Sequence, residues 1–155
     1  MMNKKRSFAA TTGVAALLAS AVVADAAPNI DSGTYRGKTN KGDRITFKIS
    51  KSKKLFRFTH KGVRMKCSDG RDFTITDRLS SGKKRLTVLD DGRFGFTVEY
   101  TGGGYWKVRG KIKGNRATGT LRVKIRFNSN DEPDPDGSVR CSSGKLRFKA
   151  KHRRV

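Results

Sequence analysis

No window of this sequence repeats its apolar residues at the 3.6-residue period of an amphipathic helix, which excludes a helical bundle and any sheet layered with helices. Cysteine is limited to Cys67 and Cys141, and histidine to His60 and His152. Neither cysteine has a second cysteine or a histidine close by at zinc-ligand spacing, so a thiolate metal site has no footing. One histidine borders Gly62 and the other lies in a basic tail; both are expected to be exposed or partly packed. No set of nucleophile, base and acid emerges, so the chain is expected to be no enzyme and to carry no cofactor and no metal. Carboxylates are scarce as well. Thirteen Asp and Glu stand against 36 Lys and Arg, a formal net charge of +23. Charge of one sign on this scale exceeds what solubility requires; it attracts polyanions and repels copies of the same chain.

Long apolar runs are also missing beyond residues 8–23, and that run is short of a membrane span. Lys4, Lys5 and Arg6 precede it, and Ala24-Asp25-Ala26 follows with an A-x-A cleavage pattern. Residues 1–26 therefore read as a secretory signal peptide, and residues 27–155 as a single domain with a basic C-terminal tail. Lys5-Arg6-Ser7-Phe8 lacks one arginine of a twin-arginine signal. The expected location is extracellular or cell-wall associated, with no membrane insertion once the signal is removed.

What the chain does have is strict alternation. Phe94, Phe96, Val98 and Tyr100 share one parity; Trp106, Val108 and Ile112 share one; so do Ala117, Leu121, Val123, Ile125 and Phe127. A period of two places each set on one face of a strand. The opposite face carries Lys107, Arg109, Lys111, Lys113, Arg116, Arg122, Lys124 and Arg126. Gly114-Asn115 is a two-residue hairpin signal. It sets Lys113 opposite Arg116, Val108 opposite Leu121 and Lys107 opposite Arg122. Like charges directly across a strand pair cost stability, and a bound anion relieves that cost. Before this hairpin, a five-residue loop from Thr101 to Tyr105 is expected to pair Tyr100 with Trp106 and to lay Phe96 beside Gly110. Tyr105 shares the parity of Lys107 and could stack on a base or sugar ring.

Elsewhere the alternation is shorter. The loop Asn40-Lys41-Gly42 sets Tyr35 opposite Phe47 and Gly37 opposite Ile45. Phe56 and Phe58 are expected to continue the inner face. Gly62 then resets the parity through a bulge, so that Val63, Met65 and Cys67 point inward. Leu86 with Val88, and Leu146 with Phe148 and Ala150, complete a count of about nine or ten strands. The fold class is all-β, an antiparallel meander closed into a small barrel, with a two-sheet sandwich as the alternative. Cys67 and Cys141 are expected to form one disulfide, against a reactive thiol or a metal ligand.

The acidic loop around residues 130–137 stands out in so basic a chain. Asp134-x-Asp136-Gly137 has the middle of a calcium loop, but the twelfth position counted from Glu132 is Ser143 and not a glutamate. An exposed turn pairing with nearby Lys and Arg is expected instead.

The segments GTYRGKT from Gly33, DGRF from Asp91, GKIKGNRATGTLRV from Gly110 and Cys141-Ser-Ser-Gly144 resemble those of an uncharacterised family of small secreted bacterial β-rich proteins. The resemblance implies an exported β domain and assigns no functional residue. The expected function is a secreted, non-enzymatic module that binds an anionic polymer at the cell surface or in the medium: a cell-wall polyanion, an acidic polysaccharide or a nucleic acid. The alternatives are a barrel that carries an apolar ligand and a secreted hydrolase.

Overall fold

The computed structural model describes residues 28–78 and 86–153; the expected signal peptide and Arg154 lie outside these. The described residues form ten strands and no helix. In chain order they are β1 (Gly33–Thr39), β2 (Arg44–Ile49), β3 (Lys54–Cys67), β4 (Asp72–Arg78), β5 (Leu86–Thr87), β6 (Arg93–Glu99), β7 (Gly104–Lys113), β8 (Arg116–Phe127), β9 (Val139–Ser142) and β10 (Leu146–Arg153).

Six of them, in the order β10-β1-β2-β3-β9-β8, close into an antiparallel barrel through the pairing of β8 with β10. The other four extend from it: β7 and β6 from β8, and β4 and β5 from β3. The ring is uneven. Along one edge of β8, residues 116–121 pair with β10 and residues 124–127 pair with β9. Strand β3 divides in the same way between β2 and β9. Three strands therefore separate β3 from β8 at one end, and the short β9 alone joins them at the other.

The apolar parity of each strand fills the interior. Tyr35, Phe47, Phe58 and Trp106 are fully buried, and Phe148 is nearly so. Tyr35 and Phe47 face each other across β1 and β2, as the three-residue loop requires, with rings stacked at 5.1 Å. Phe47 stacks in turn on Phe58 at 5.6 Å, and Phe58 meets Trp106 at 5.7 Å. Burying a set of large aromatic side chains is the main source of stability in so small a domain.

The β7–β8 hairpin has the expected register, with Lys113 opposite Arg116 and Trp106 opposite Val123. The β6–β7 hairpin differs from expectation by two residues. Val98 pairs with Trp106, Phe96 with Val108 and Phe94 with Gly110. Its turn is the three-residue Thr101-Gly102-Gly103, closed by the Tyr100 amide donating to the Gly104 carbonyl at 3.1 Å, with Gly103 at φ 82°. A slip of two keeps every side chain on its face, so alternation cannot detect it. In consequence Phe94, not Phe96, covers Gly110, and Phe148 covers Gly119; a Cβ at either glycine would overlap the ring.

Two further expectations meet a bulge. Gly62, at φ 77°, shifts the register between His60 and Val63 as anticipated, and Val63 and Met65 are buried. A second bulge lies at Arg57, a non-glycine residue at φ 53°, where the pairing with β2 shifts. It turns Leu55 and Phe58 inward and leaves Phe56 only partly buried, so Phe56 does not continue the inner face. His60, two residues beyond Phe58, shares its inward parity. His60 is fully buried, where an exposed or partly packed ring was expected, with its ring edge-on to Trp106 at 5.0 Å.

Cys67 and Cys141 are directly paired across β3 and β9 and form a disulfide. A bond of this kind persists in oxidising compartments and agrees with an extracellular protein.

Candidate functional site

Strands β7 and β8 are long because their alternation is unbroken. Trp106, Val108, Ile112, Ala117, Leu121, Val123 and Ile125 are buried on one face. The other face therefore presents Lys107, Arg109, Lys111 and Lys113 on β7, and Arg116, Arg122, Lys124 and Arg126 on β8, all exposed. Lys107 stands opposite Arg122. The ion pairs among the described residues involve none of the eight. Arg126 stands apart from the others: its guanidinium donates to the Pro135 carbonyl at 3.0 Å, which ties it to the acidic loop. Tyr105 is half-buried between Glu99 and Lys124 in the pairing.

Barrel closure extends this face well beyond the hairpin. Arg93 pairs with Lys111, Lys111 with Thr118, and Thr118 with Lys149 on β10. Lys149 pairs with Lys38 on β1, Lys38 with Arg44 on β2, and Arg44 with Lys61 on β3. Seven strands thus contribute one outward row in which Thr118 is the sole uncharged member and Arg93, at its end, is ion-paired with Asp91. The row beside it runs through Lys113, Arg116, Lys151 and Arg36, then two threonines, to Arg78. Neighbouring strands lie about 4.8 Å apart, so each row is a closely spaced line of charge perpendicular to the strands. Strands β1, β2, β3, β7, β8, β9 and β10 contain no carboxylate.

A groove of about 560 Å³ opens on this surface over β1, β10 and β8. Lys38, Lys145, Arg147 and Lys149 supply its cations, and Asn40, Thr118 and Thr120 its neutral polar groups. Gly119 lies in its lining and Phe148 at its base. The Asn40 side-chain oxygen accepts from the Arg147 amide at 2.9 Å, which fixes the β1–β2 turn against β10. Four ammonium or guanidinium groups with two hydroxyls make a site for an anion with several acceptor oxygens.

The surface around the disulfide has a different character. Arg71 donates to Asp69 at 2.6 Å and to both oxygens of Asp131 at 2.8 and 2.9 Å. The Arg71 amide and side chain hold the Asp69 carboxyl below its usual range, and the Arg71 side chain does the same for Asp131. The acidic loop is thus an exposed turn engaged with a cation, as expected for residues 130–137. Among the described residues no group of three or more His, Cys, Asp or Glu is arranged to hold a metal ion.

Inside the barrel, His60 lies between Ile45 and Asp77 in the pairing. Neither ring nitrogen has a hydrogen-bond partner among the described residues, and neither does the Trp106 indole. Burial pushes the His60 pKa down to about 4, with Asp77 and Asp43 opposing the shift. Burial also raises the Tyr100 phenol, beside Asp77.

Alternation alone identified the β7 and β8 cations. It missed Lys38, Lys145, Arg147 and Lys149, because nothing local indicates that β10 lies beside both β1 and β8. The one available signal was the matching outward parity of Arg147, Lys149 and Lys151. Comparisons with protein-family models, with curated proteins and with solved structures return no match for this chain.

Proposed function

We propose that the protein is a secreted, non-enzymatic module that binds anionic polymers through the outer face of its barrel. The observation that carries this reading is the carboxylate-free outer surface of seven strands, across which cations stand directly opposite one another. Repelling neighbours held on rigid strands cost stability in the free protein, and a polyanion converts that cost into binding. The interior is filled by aromatic side chains, so the reading does not call on an apolar ligand within the barrel.

The test is a binding titration of purified protein against anionic polymers at several salt concentrations. Affinity is expected to fall linearly on a log–log plot as salt displaces the advantage of counterion release. Absence of binding to every polymer at low salt would overturn the proposal.

A further inference from the structure

We infer that the polymer is a flexible chain of closely spaced phosphate groups without bases, of which linear polyphosphate is the simplest form, and that it crosses the strands through the groove between β1, β10 and β8. This rests on the polyanion reading and goes further, by naming the ligand chemistry and its path.

Three observations carry it. The first is spacing. Lys149, Lys38, Arg44 and Lys61 occupy four successive strands with no neutral residue between them. At about 4.8 Å per strand this is a denser line of charge than a chain with one charge every few residues can match. The full row from Arg93 to Lys61 spans six such steps, about 29 Å along a curved surface, which a stiff duplex cannot follow.

The second is the absence of any stacking platform along the row. Its members are lysine, arginine and threonine, and the aromatic ring at the groove, Phe148, is only 2% exposed. Single-stranded nucleic acids depend on exposed aromatic side chains for their bases. A base-free chain has no such requirement.

The third is the donor set. Lysine ammonium groups are compact charges with rotatable donors and impose no planar geometry. With the hydroxyls of Thr118 and Thr120 they can meet the oxygens of a tetrahedral phosphate from several directions.

The experiment compares long-chain polyphosphate, oligo(dT) and polyglutamate at matched charge, using the wild type and two double variants. Lys38→Gln with Lys149→Gln removes a pair inside the groove; Lys51→Gln with Lys53→Gln removes the same charge from the β2–β3 turn. Polyphosphate is expected to bind tightest to the wild type. The groove pair should weaken it about tenfold or more and lower the logarithmic salt slope by about two units, and the distant pair should change the slope by much less. Lys38 and Lys149 repel each other across the strands, so their removal should not lower the melting temperature. If none of the polymers binds the wild type, the polyanion reading falls and this inference with it. If polymers bind but oligo(dT) or polyglutamate binds as tightly as polyphosphate, or the two double variants act equally, the inference alone is overturned.

Discussion

Two regions of this barrel's surface handle charge in opposite ways. At the disulfide end, Arg71 sits between Asp69 and Asp131, and Lys66 reaches Asp72 at 3.3 Å. Cations there are answered by carboxylates within the same surface, and β3 is joined covalently to β9. On the β1, β10 and β8 side, lysines and arginines face one another with no carboxylate on any of the three strands. Net charge alone would scatter its excess over the whole surface. The ion pairs among the described residues lie around the disulfide and beside β5 and β6, where Lys53 meets Asp90 and Arg93 meets Asp91, and none involves a residue of β1, β8 or β10.

The comparison can be broken first at the covalent link. The disulfide spans a sequence separation of 74 residues, and the chain-entropy model assigns such a loop about 4 kcal/mol. Cys67→Ser with Cys141→Ser should cost about that much in urea unfolding at neutral pH. The salt dependence of polyanion binding should be retained wherever the variant remains folded. A loss below about 1 kcal/mol would mean that the β3–β9 end is held by its strand pairing and ion pairs and not by the bond.

The interior offers a smaller effect, read through pH. His60 has its folded pKa depressed to about 4 from the ordinary 6.5, because burial disfavours the charged ring. The unfolded chain therefore takes up this proton first as pH falls. Stability should be full above about pH 6.5 and decline toward pH 4, by roughly 3 kcal/mol from this group, then level off with respect to it. Asp77 and Asp43 face the imidazole and moderate the decline. His60→Leu should flatten the profile across that window, as measured by denaturant midpoints at half-unit pH steps. An unchanged profile would place the acid sensitivity in the carboxylates around Arg71 instead.

The smallest effect on stability sharpens the comparison most. Lys107→Gln with Arg122→Gln removes one like-charge pair from the cationic face. The melting temperature should hold or rise slightly, equivalent to less than about 1 kcal/mol, while the salt slope of polyanion binding flattens. A fall in stability would show that the pair is already compensated in the free protein, and the two regions would then differ less than their residues suggest.

Much of the fold was legible in the residues themselves. Strict alternation with glycine turns specified an all-β chain, and the Gly114-Asn115 and Asn40-Lys41-Gly42 loops specified two registers correctly, because a short loop and a buried face leave few pairings open. Two cysteines could form only one disulfide. The β6–β7 register was not legible, since a three-residue and a five-residue loop satisfy the same parity. Nor was the bulge at Arg57, because positive φ at a non-glycine residue leaves no mark in composition. Of the candidate site, the half on β7 and β8 followed from one hairpin. The half on β1, β2 and β10 depended on which strands become neighbours across more than a hundred residues.

The sequence by itself determined which side of each strand faces water, hence that lysine and arginine would coat the barrel and aromatic side chains would fill it. Period-two patterning is local, and burial enforces it strand by strand. Only the tertiary structure decided the order of the strands around the ring, and with it the row from Arg93 to Lys61, the groove beside Gly119 and the burial of His60. Those features depend on the relative shift and neighbourhood of strands, which are chosen by how the aromatic cores interlock and not by any one strand's own pattern.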